Sequence, residues 1–64
     1  MSPAEFEILQ KQLSAGKTVY LSVSGRPGSL ERLDFRNGQP VLTVRLGGSD
    51  VEISASECLL IAVL

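Results

Sequence analysis

Sixty-four residues with a formal net charge of -1, 44% hydrophobic and 20% charged, describe one folded domain and exclude a disordered chain. The slightly acidic balance supplies no basic field toward nucleic acid or anionic membrane, and no apolar run approaches the roughly 20 residues that span a bilayer. A single cysteine, Cys58, and no histidine exclude an internal disulfide and leave a poor ligand set, so neither metal nor cofactor is expected. A chain this short buries only about 60% of the surface its unfolded form exposes. With disulfide and metal set aside, association with another chain is the remaining aid to stability, which predicts a homo-oligomer. The opening residues MSPAEFEILQ lack the basic and apolar regions of a secretory signal, and with one free thiol the expectation is a cytoplasmic protein.

The first element is a helix over about residues 3–15. Ser2 suits the N-cap, Pro3 the first helical position, and Glu5 completes an S-x-x-E capping box. Phe6, Leu9 and Leu13 recur at three- and four-residue spacing and form one apolar stripe, flanked by Ile8. Gly16 is the natural residue to follow the last turn.

From Lys17 the period becomes two. Val19, Leu21 and Val23 alternate with Thr18, Tyr20, Ser22 and Ser24, as in a half-buried strand. Gly25 to Gly28 (GRPG) reads as a turn, with Pro27 unable to donate to a ladder. The second strand, Ser29 to Arg36, carries a phase error: Leu30 falls on one face, Leu33 and Phe35 on the other, so a bulge is expected near Glu31–Arg32. Asn37-Gly38 is the strongest hairpin signal, because a type I′ turn needs positive φ at both central residues. Beyond Pro40, Leu42, Val44 and Leu46 share one face of a third strand. Gly47 to Asp50 makes the next turn, and Val51, Ile53 and Ala55 line a fourth strand. The last segment, CLLIAVL, is apolar on both faces. One helix and five short strands over 17–64, with a turn every eight to twelve residues, predict a mainly β single domain, 1–64, built as a small five-stranded SH3-like antiparallel barrel with the helix over one open end.

Catalysis finds few groups to work with. A nucleophile needs an adjacent base, and Cys58 is followed by Leu59, Leu60 and Ile61, the surroundings of a buried thiol used as a small hydrophobe. Asp34, Asp50, Glu31, Glu52 and Glu57 are spread over turns and polar strand faces rather than paired in an apolar pocket. Gly47-Gly48 opens no phosphate loop. No catalytic residue is assigned and the chain is not expected to be an enzyme.

The run Gly28-Ser29-Leu30-Glu31-Arg32-Leu33-Asp34, after a strand Val19-Tyr20-Leu21-Ser22-Val23 and an N-terminal helix, resembles the G-x-φ-x-x-φ-D run of the Sm-like family, in particular the bacterial Hfq-type RNA chaperones. The resemblance implies an Sm-like barrel and RNA binding, with Phe35 the approximate counterpart of an aromatic that grips uridine. Asp34 is here followed directly by Phe35 and Arg36, and neither lysine nor histidine occurs after Lys17.

Two functions follow. A self-assembling or protein-binding module is suggested by Leu59, Leu60, Ile61, Ala62 and Val63, because a strand apolar on both faces is buried on both, against the helix stripe or against another chain. Nucleic-acid binding is suggested by Arg32, Arg36 and Arg45, with Phe35 or Tyr20 as a stacking platform on the same outer face. The acidic balance favours arginines paired with Glu31, Asp34 and Glu52 across strands instead.

Overall fold

In a computed structural model that describes residues 3–64, helix α1 (Pro3–Ser14) is followed by strands β1 (Val19–Val23), β2 (Arg26–Arg36), β3 (Gln39–Leu46) and β4 (Ser49–Ser54), a single 3-10 turn (Ala55–Glu57) and strand β5 (Cys58–Val63). The expected N-cap Ser2 lies outside the described residues. The helix stops where the sequence says it should. Gly16 takes φ +78°, its N–H donates to the Leu13 carbonyl at 3.1 Å, and the Lys17 N–H donates to Gln12 at 3.1 Å, the two bonds of a Schellman cap.

The strands form one antiparallel sheet in the order β4-β3-β2-β1-β5. The backbone bonds of Thr18 and Leu64 to each other, 2.9 and 2.8 Å, carry the β1–β5 ladder to the last residue. All three hairpins close on two residues with positive φ: Ser24-Gly25, Asn37-Gly38 and Gly47-Gly48. Two turn expectations are thereby corrected. The first turn precedes Arg26, so Arg26, Pro27 and Gly28 belong to β2, and the third is complete at Gly48, so Ser49 and Asp50 belong to β4. Pro27 is accommodated because β2 pairs with β3 only from Ser29 onward, leaving it one neighbour, Ser22 of β1. Ala55 is likewise not a strand residue but opens the 3-10 turn, capped by the Ser54 hydroxyl accepting from the Ser56 N–H.

β2 organises the sheet. Residues 26–29 pair with β1 and residues 29–36 with β3, so the long strand passes from one neighbour to the other at Ser29. The expected bulge is present as a register shift between Leu30 and Arg32, and a second lies on the β1–β5 ladder between Tyr20 and Leu21. At the handover Gly28 is buried, and a Cβ there would stand 2.6 Å from both Leu46 Cδ2 and Val44 Cγ1. Only glycine lets β2 come this close to β3. The sheet does not join β4 to β5, so its two outer strands are edges.

One face of the sheet makes the core. Leu9 of α1 is fully buried with Val19, Leu21, Leu42, Val44 and Cys58, and Phe6 and Leu13 pack beside it. The predicted helix stripe therefore covers the inner face, where burying one leucine side chain contributes about 1.5–3 kcal/mol.

Thr43 is the exception among buried side chains. It lies opposite Arg32 and Glu52 on the outer face of β3, 7% exposed, and its hydroxyl has no hydrogen-bond partner among the described residues. Leaving a buried hydroxyl unsatisfied costs about 1–3 kcal/mol. Thr43→Val keeps the shape and β-branching and removes the hydroxyl, so it should raise unfolding free energy by roughly 1 kcal/mol in urea denaturation. A loss of stability would show that the hydroxyl is satisfied in solution.

Candidate interaction surface

The outer face divides into two halves of opposite character. Over β2, β3 and β4, alternation places Arg32, Asp34, Thr43, Arg45, Asp50 and Glu52 on one side. Arg36 grips Glu52 with both terminal guanidinium nitrogens, Nη1 donating to Oε1 at 2.8 Å and Nη2 to Oε2. Arg45 donates from Nε to Asp50 Oδ1 at 2.9 Å and lies 3.5 Å from Glu31 Oε1. Arg32 Nε donates to Asp34 Oδ2 at 3.2 Å. Three arginines thus meet four carboxylates, and the face carries no positive excess. The expected pairing across strands is realised at Glu31 and Glu52, whereas Asp34 pairs with Arg32 two residues away on β2 itself; Asp50, which the sequence places in a turn, is an added cross-strand partner of Arg45.

The expected aromatic platform is corrected. Phe35 and Arg36 are consecutive in a strand and point to opposite faces. Phe35, opposite Pro40, turns toward the helix and meets Phe6 edge to face, ring centroids 5.6 Å apart at 72°. It stays 58% exposed beside a groove of about 410 Å³ that is also lined by Pro3, Phe6, Glu7, Gln10, Pro40 and Ala55. Tyr20 does share the outer face with Arg45, through Ser29, and is half-buried against Ala62. The four nucleic-acid candidates therefore do not form one site.

The five interface candidates also divide by face. Leu60 and Val63 pack on the core opposite Leu21 and Val19. Leu59 and Ile61 are 66% and 54% exposed, with Ala62 half-buried beside them. Since α1 covers only the inner face, the outward side chains of β5 are left uncovered, and β5 is also a sheet edge with no ionisable side chain from Leu59 to Leu64. The other edge, β4, carries Asp50 and Glu52.

Cys58 is fully buried, its Sγ 3.6 Å from the Ser54 carbonyl oxygen, and burial, aided by nearby Glu57, pushes its thiol above the ordinary range. A thiol held protonated is a weak nucleophile. No helix among the described residues is long and apolar enough to cross a membrane. The chain matches no family model, no curated protein and no solved structure.

The ion pairs set a pH dependence. Hydrogen bonds from Arg36 and Arg45 hold the Glu52 and Asp50 carboxyls below their ordinary values of 4.5 and 3.8. A carboxylate whose acidity is strengthened by folding contributes stability that is complete above its unfolded value and lost as pH falls through the folded one. Unfolding free energy should hold steady from neutrality to about pH 5 and fall below about pH 4.5, with high salt flattening the slope. The same slope in Arg36→Gln/Arg45→Gln would assign the acid sensitivity elsewhere.

Proposed function

We propose that this domain is a non-enzymatic module of the SH3-like or Sm-like small-barrel kind that acts by joining its β5 edge to another chain, foremost a second copy of itself. The observation that carries the reading is the combination on β5 of an open edge, the exposed Leu59 and Ile61, and no charge to guard them. Edge strands that stay monomeric are defended by charges, proline or a covering element. β4 has such charges and β5 has none. The passage of β2 from β1 to β3 and the approach of Gly28 to Val44 and Leu46 support a sheet that wraps on itself as a small barrel does. The paired arginines and the protonated, buried Cys58 support a surface that binds rather than reacts. A reducing, cytoplasmic setting suits that thiol.

RNA binding on the Sm-like pattern draws little from this surface, because Arg32, Arg36 and Arg45 each hold a carboxylate and Phe35 lies on the other face. A salt-sensitive complex with single-stranded RNA would reverse that judgement.

Light scattering after gel filtration should give the native chain a mass that is a multiple of 6.8 kDa, unchanged between low and high salt. Leu59→Lys/Ile61→Lys should bring the mass to a single chain with an unchanged far-ultraviolet spectrum. A native protein of single-chain mass, or a folded double variant that still assembles, would overturn the proposal.

A further inference from the structure

Apart from β5, a groove of about 410 Å³ runs between α1 and the β2–β3 hairpin. On α1, Pro3, Glu7 and Gln10 follow at four- and three-residue spacing, so they share one stripe of the helix, with Phe6 beside them. Phe35 and Pro40, paired across β2 and β3, supply the opposite wall, and the Phe6 and Phe35 rings meet at 72° as adjoining aromatic sides. Glu7 is the one ionisable side chain among the described lining residues. The carboxylates of the outer sheet face each hold an arginine, whereas Glu7 makes no ion pair with any described residue, Lys11 one turn along included.

A carboxylate without a counter-ion, set among aromatic and proline rings, selects a cation. The sparse polar lining selects which one. The N–H donors of lysine or arginine would exchange their water for one carboxylate and one amide, Glu7 and Gln10. A trimethylammonium has no N–H to satisfy, and its methyl groups carry the charge onto ring faces. With no basic side chain in the lining, the phosphate of a lipid headgroup would find no cation there and would face Glu7. Pro40 and Ala55 also line a second cleft of about 400 Å³, which adds Gln39 and Ser56 and leaves room for the backbone that carries such a group. We infer that this groove is a binding site for a trimethylated lysine side chain on an extended segment of another protein, independent of the β5 edge.

The test is a titration of the native protein, followed by amide chemical shifts, with a short peptide of alanine and serine carrying one trimethyl-lysine. Glu7, Gln10 and Phe35 should shift. The neutral isostere, with carbon in place of the ammonium nitrogen, should bind roughly fivefold more weakly, and so should the unmethylated peptide. Phe35→Leu and Glu7→Gln change exposed side chains, so each should keep the fold and lose that preference. Equal affinity for the charged peptide and its isostere would overturn the cation site and leave a plain apolar groove. Choline alone binding as tightly as the peptide would overturn the protein partner. Unmoved Glu7 and Phe35 amides in a large excess of peptide would overturn the site altogether, and none of these outcomes bears on self-assembly through β5.

Discussion

One helix is available to cover a five-stranded sheet, and its commitment to the inner face fixes the character of everything else. Leu9 enters the core beside Leu21, Leu42 and Val44, and Phe6 and Leu13 seal its flanks. The outer face must then meet water on its own terms. Over β2–β4 it does so with interleaved arginines and carboxylates. Along β5 it presents leucine and isoleucine. The same economy of chain that limits the core thus generates the uncovered strip.

The charged half, with one carboxylate in excess, is better understood as a polar lid than as a large source of stability. Its pairs are exposed, and surface ion pairs contribute little individually. Collectively they cancel the arginines as a nucleic-acid footprint and leave carboxylates on the β4 edge. Charge on one edge and none on the other is an asymmetry with a physical consequence: strand addition is discouraged at β4 and permitted at β5.

Much of this was legible in the residues. The helix bounds, the bulge after Leu30, the Asn37-Gly38 turn and the inward Cys58 follow from capping, period and burial rules that act over a few neighbours. The turn before β2 was not, since Ser24 takes positive φ beside Gly25 while the louder signal, Pro27, lies in the strand. Phe35 was placed with the arginines although a period of two sets it opposite Arg36. The division of CLLIAVL into inward Leu60 and Val63 and outward Leu59 and Ile61 needed the pairing with β1, because every residue in the segment is apolar and alternation leaves no mark. Whether β4 and β5 would meet likewise depends on strand order, which no local pattern encodes.

Whether another chain covers the outer edge of β5 decides how this domain works. Residue-resolved amide hydrogen exchange on the native protein tests it most directly, because an uncovered edge leaves alternate amides open to water. Consecutive amides from Leu59 to Ala62 should all be protected to the level of β1, while alternate amides of β4 exchange rapidly. Alternating fast exchange along β5 would contradict it, and the strand would then be a bare edge.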